Sequence, residues 1–149
     1  MVNWLLAFLA AVIAAFAAGS IMATQFILGN VSAMGMDVTA GVRLHATLHD
    51  LAGLAPTYMP LIAVAFLIGL SSGSGLSRLL PAQRLWLCIL AGAVSLIAIH
   101  MIMKAVLGLS GIAATRTLAG LLSQGLAGAL GGYVFAMIRR RPSGAAHDG

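Results

Sequence analysis

The sequence predicts an all-α polytopic membrane protein: a bundle of four transmembrane helices, with an amphipathic helix in the outer connection between the first two. Three observations predict it. Of 149 residues, 61% are hydrophobic and 7% charged, with mean hydropathy +1.06, whereas a soluble domain carries about 25% charged residues. That leaves too little polar surface to cover a globule in water, and it excludes a disordered chain, which needs low hydrophobicity and high charge. Second, four stretches reach the roughly 20 apolar residues that a helix needs to cross a hydrocarbon core about 30 Å thick. Third, these runs lack the alternating segments of about 10 residues that mark barrel strands. Helices are then the remaining way to satisfy a backbone in lipid.

The first span covers about residues 4–28 and contains no charge. A cleaved signal peptide is the competing reading, because Ala17-Ala18-Gly19-Ser20 resembles a small-residue cleavage site. The absence of Lys and Arg from residues 2–12 and the length of the apolar run favour a retained span. The second span covers about 55–71, with Pro56 and Pro60 near its start, the third 85–107 and the fourth 117–138. Ser71-Ser72-Gly73-Ser74-Gly75 reads as a flexible linker and Pro81 as a stop before the third span. Residues 1–141 form one membrane domain, and 142–149 a flexible tail. The single Cys88 excludes an intrachain disulfide.

The net charge of +5 is read as topology, with no nucleic-acid partner. Arg78, Arg84 and Arg139–Arg141 fall on one side of the membrane. Arg43, Lys104 and Arg116 fall on the other. The positive-inside rule then puts both termini in the cytoplasm of a plasma membrane, the inner membrane in a bacterium. Helices in a bilayer associate through small residues rather than by expelling water. Ala11, Ala15 and Gly19 offer such a face on the first span, and Gly128 and Gly132 a GxxxG frame on the fourth. Packing within the bundle and pairing with a second copy both remain open.

Residues 39–54, capped by Asp37 or Thr39, read as a helix lying at the outer interface or leading into the second span. Leu44, Leu48, Leu51 and Ala55 form its apolar stripe, His45 and His49 a second stripe, and Arg43, Thr47 and Asp50 a third. His100 and Lys104 stand one turn apart in the outer half of the third span, where an ionisable group is costly and marks a candidate functional site. Thr24, Gln25, Ser123 and Gln124 reach a similar depth. The expectation is an outward-facing polar ligand pocket around His45, His49, His100, Lys104, Gln25 and Gln124.

No cofactor is predicted. A metal, were one bound, would take His45, His49, Asp50 and His100 as ligands, although no His-Glu-x-x-His or Cys-pair motif is present. No catalytic residue is assigned, because no Gly-rich phosphate loop precedes a basic residue and only two carboxylates precede the tail. Length and span number match in outline the small trimeric membrane enzymes of glutathione and eicosanoid metabolism, but their glutamate-containing motif is absent from a chain with no Glu. The function expected is a non-catalytic accessory, partner-binding or lipid-binding membrane bundle. A small oligomeric transporter or channel is the alternative, followed by a membrane-embedded enzyme or a haem- or metal-binding subunit. The expected partners are the lipid bilayer, a second copy of the chain or another membrane protein.

Overall fold

The computed structural model describes residues 2–108 and 113–139. It consists of α1 (Val2–Ala33), α2 (Ala40–Leu79), α3 (Arg84–Leu107) and α4 (Leu118–Ile138), with 3-10 turns at Pro81–Gln83 and Ala113–Arg116. No strand occurs among the described residues. All four helices are long and apolar enough to cross a membrane. The tail 142–149, Arg140, Arg141 and residues 109–112 of the third connection lie outside the described residues.

Local chemistry sets the boundaries. α1 closes where Gly35 takes a left-handed φ of 85°, and the Met34 N–H donates to the Asn30 carbonyl. Of the two caps expected for the next helix, Thr39 serves: its Oγ1 accepts from the Val42 N–H at 3.3 Å. α2 stops before Pro81, whose ring disfavours a helical residue in front of it. α3 ends on Gly108 at φ 63°, and Thr117 caps α4 by accepting from the Gly120 N–H at 3.1 Å.

One sequence expectation is narrowed here and another corrected. Of the two readings of the amphipathic segment 39–54, it leads into the second span and is no separate interfacial helix, because α2 runs for 40 residues through Pro56 and Pro60, about 60 Å of helix. Each proline removes one N–H, but the two are one turn apart and both exposed, so the affected carbonyls share an outer face and the packed face is undisturbed. The linker expected at Ser71–Gly75 is also helical. Gly69 and Gly73 press against Ser95 and Ala91 of α3, and Ser72 and Ser77 donate to the carbonyls of Ile68 and Ser74. Within a segment that would be loose in water, Gly73 serves here as a contact point between helices, while Ser71, Ser72 and Gly75 stay exposed on the helix.

The helices run alternately up and down, each packing on its chain neighbours, with α1 closing on α4. α3 and α4 meet backbone to backbone. A Cβ on Gly128 would fall against the Gly92 carbonyl, and one on Gly132 against that of Cys88. On α1, Ala7, Ala11 and Ala15 are fully buried. Their small side chains leave room for the rings of Phe66 and Phe135, and the Phe66 ring reaches across to Gly131. Gly19 lies opposite Gln124, so α4 begins near the level of Gln25. Residues 26–33 of α1, about 12 Å of helix, therefore extend past the bundle with the start of α2 as an antiparallel hairpin.

Candidate ligand site at the hairpin end

Two groups of polar side chains lie at the hairpin end of the spans. The first is buried between the helices. Tyr58 Oη donates to Gln124 Oε1 at 2.5 Å, and Gln124 Nε2 donates to the Gly19 carbonyl at 3.0 Å. Three helices are thereby tied at one level. The Gly19 contact needs glycine, because a Cβ there would come within 2.7 Å of Gln124 Oε1. His100 is 4% exposed, and its ring meets the Tyr58 ring edge-on at 5.8 Å. Its Nδ1 lies 2.7 Å from the Leu96 carbonyl. A carbonyl only accepts, so Nδ1 carries the proton and Nε2 is left as an acceptor. Nε2 is buried and finds no partner among the described residues, as does Ser20 Oγ.

The second group joins α1 to α2. Thr24 Oγ1 donates to Asp50 Oδ2 at 2.7 Å, Gln25 Nε2 to Thr47 Oγ1 at 3.1 Å, and Arg43 Nη1 to Gln25 Oε1 at 2.8 Å. The stripe of α2 that faces α1 is thus the Arg43–Thr47–Asp50 stripe. Leu44 and Leu48 are 63% and 58% exposed. The six-residue turn between the helices decides which face turns inward, and Thr24 and Gln25 select the polar one.

These placements separate the residues expected to converge. His100 and Gln124 share the buried layer, each in contact with Tyr58. Gln25 belongs to the hairpin. His45 and His49 are exposed on it, stacked on each other at 6.5 Å between ring centroids. No three His, Cys, Asp or Glu side chains come together among the described residues, so His45, His49, Asp50 and His100 do not form one metal-binding set. Sequence reasoning missed Tyr58. A tyrosine in an apolar helix needs a partner for its hydroxyl, and that was the available signal.

A cavity of about 470 Å³ opens beside this layer, lined by His100, Met101, Lys104, Ala105, Thr115 and Leu121. Lys104, exposed one turn beyond His100, is the only charged residue among its described lining residues. The recess therefore has a cationic rim and a wall that is partly thioether and aliphatic. A separate groove of about 480 Å³ between α2 and α3 runs past Gly69, Gly73, Ala91 and Ser95, and no charged residue lines it among the described residues. The string Gly69-Leu70-Ser71-Ser72-Gly73 has the spelling of a serine nucleophile elbow. It lies inside α2, however, and the elbow's chemistry needs a strained strand-to-helix turn. No protein-family model, curated protein or solved structure matches the chain.

Proposed function

We propose that the chain is a non-catalytic integral protein of a plasma membrane, the inner membrane in a bacterium, that binds an amphipathic small molecule with an anionic head. The observation that carries this reading is the 470 Å³ recess. Lys104 at its rim suits an anionic oxygen, Thr115 and the edge of His100 give polar contact, and Met101, Ala105 and Leu121 suit an aliphatic tail. Pockets of this size, mostly apolar with a few convergent polar groups, are the usual form of a small-molecule site. In this reading both termini are cytoplasmic and the recess faces outward, because the arginine-rich end of the molecule is the end that carries the termini. A cysteine at Gly75 then reacts with a membrane-impermeant thiol reagent only from the cytoplasmic side, and one at Met36 only from outside. The reverse pattern inverts the orientation.

The ligand test titrates purified protein with dansyl-undecanoic acid. Saturable, blue-shifted emission is expected, and Lys104→Gln weakens it by about ten-fold, the scale of one lost charge-assisted hydrogen bond. The amine analogue of the probe binds poorly. Equal binding of acid and amine, or an unchanged affinity in Lys104→Gln, would overturn the reading.

A further inference from the structure

At the opposite end of the bundle Arg84 and Arg139 lie together, with Arg78 near enough for its charge to act on Arg139, and no carboxylate accompanies them among the described residues. Arg84 Nη2 donates to the Arg139 carbonyl at 2.8 Å, and Arg139 Nη1 donates to Ser74 Oγ at 3.0 Å. The Arg139 guanidinium also lies 5.3 Å from the centroid of the Phe135 ring. Partial burial pulls the Arg139 pKa below its ordinary value, and the charges of Arg84 and Arg78 add to that effect. The chain contains three carboxylates. Asp37 precedes α2 and Asp50 is bonded within the hairpin at the far end, while Asp148 lies in the tail beyond the described residues. Among the described residues nothing anionic offsets this cluster.

Each of these arginines carries five N–H donors. In the bonds just described, Arg84 and Arg139 use one each, so among the described residues most of the donor capacity is uncommitted. Beside Arg84 is a cavity of about 230 Å³, lined by Pro81, Ala82, Arg84, Leu85 and Ala136. It sits where the turn before α3 meets the last turns of α4. The chain just before it is apolar at the surface, with Leu79 and Leu80 exposed ahead of Pro81, and Trp86, 65% exposed, lies two residues beyond Arg84 on the outer side of α3. A tryptophan at a helix end of this kind suits the headgroup level of a bilayer.

The geometry points to a binding site for the phosphate of an anionic phospholipid, held by Arg84 and Arg139, with Arg78 adding charge and the acyl chains passing Leu79 and Leu80 on the lipid-facing side that also carries Trp86. The planar guanidinium groups match phosphate oxygens in pairs, and a bound anion relieves the mutual repulsion of the arginines. A soluble phosphate satisfies the arginines but leaves the neighbouring apolar surface unused, which is why a lipid is the favoured source. This site is independent of the recess at the hairpin end, and either can fail alone.

Trp86 supplies the test. The full chain, with Trp4→Phe so that Trp86 is the only indole, is reconstituted into phosphatidylcholine vesicles. A minor fraction of lipid is then brominated on its acyl chains, as either phosphatidylglycerol or phosphatidylcholine. Brominated phosphatidylglycerol is expected to quench Trp86 more strongly at equal fraction, and Arg84→Gln reduces that preference about five-fold, the scale of one arginine near an anionic surface. Arg84→Lys, which keeps the charge but not the paired donors, recovers part of it. Equal quenching by the two lipids overturns the site. So does an equal loss in the Arg140→Gln/Arg141→Gln double variant, which would mark a diffuse attraction to the tail. Abolition of the preference by glycerol 3-phosphate overturns the lipid as ligand and leaves a soluble phosphate. Should Trp4→Phe fail to fold, retention of phosphatidylglycerol by the unsubstituted protein in native mass spectrometry, set against Arg84→Gln, makes the same decision.

Discussion

The α3–α4 seam and the α1–α2 hairpin hold helices together by opposite means. Along the seam, from Cys88 to Leu96 and from Gly128 to Gly132, glycine lies on backbone, and no side-chain hydrogen bond crosses it among the described residues. In the hairpin, three side-chain hydrogen bonds link the helices while Leu44 and Leu48 point away. The seam lies within helices apolar enough to cross a membrane, where there is no water to expel and association depends on close contact. The hairpin runs past the start of α4, where polar side chains can be exposed at little cost. Shape therefore governs one contact and polar pairing the other, and substitutions should separate the two.

The seam should give the largest effect. A Cβ on Gly128 would be pressed on the Gly92 carbonyl and stand 3.0 Å from Leu96 Cγ. Neither can yield easily, because one belongs to a helix backbone and the other to a fully buried side chain. Gly128→Val should therefore cost about 3 kcal/mol or more, the upper end of overpacking penalties. Thermal unfolding in detergent would register it as a loss of the cooperative transition. A variant that melts like the unsubstituted protein would show that the two helices do not approach so closely.

Gln124→Leu should cost less, about 1–2 kcal/mol, because it keeps the side chain's bulk but strands the Tyr58 hydroxyl and removes the extra bond to the Gly19 carbonyl, which keeps its bond within the helix. Tyr58→Phe in the Gln124→Leu background should then add little further loss, since both lose the same bond. A double-mutant cycle in chemical denaturation measures that coupling. Additive losses would mean that the two side chains do not share a bond, and the buried layer would lose its centre.

How much of this was legible in the sequence follows the same division. The α4 half of the seam was within reach: the four-residue spacing of Gly128 and Gly132 is a property of one helix and needs no partner to be read, whereas nothing local marks Gly92 of α3 as the residue they meet. The existence and number of the apolar helices were likewise set by run length. The Ser71–Gly75 segment misled because glycine and serine carry opposite meanings in a water-exposed linker and at a helix contact, and only Ala91 and Ser95 across the interface decide between them. The candidate site was legible in depth but not in azimuth. His100 and Gln124 reach the same level, yet whether His45 and His49 join them depends on how a short turn rotates α2 against α1. One residue of rotation moves a side chain by about 100°, and no local pattern fixes it.

The smallest effect tests the hairpin directly. Gly29 lies in the part of α1 that extends past the bundle, and a Cβ there meets nothing within 4 Å. Its backbone is ordinary helix, with none of the positive φ seen at Gly35 and Gly108. Glycine in such a place only weakens the helix, so Gly29→Ala should stabilise by about 0.5–1 kcal/mol, where any side chain at Gly128 destabilises. The gain should appear as slower amide exchange in residues 26–33, since a local helical preference acts where the helix can fray. A loss of stability would carry more information than the gain: it would mean that the open flank of the hairpin is covered in the membrane by something a methyl group displaces. The hairpin would then resemble the seam, a contact governed by shape, and the contrast between the two regions would reduce to which of them finds its partner within the chain.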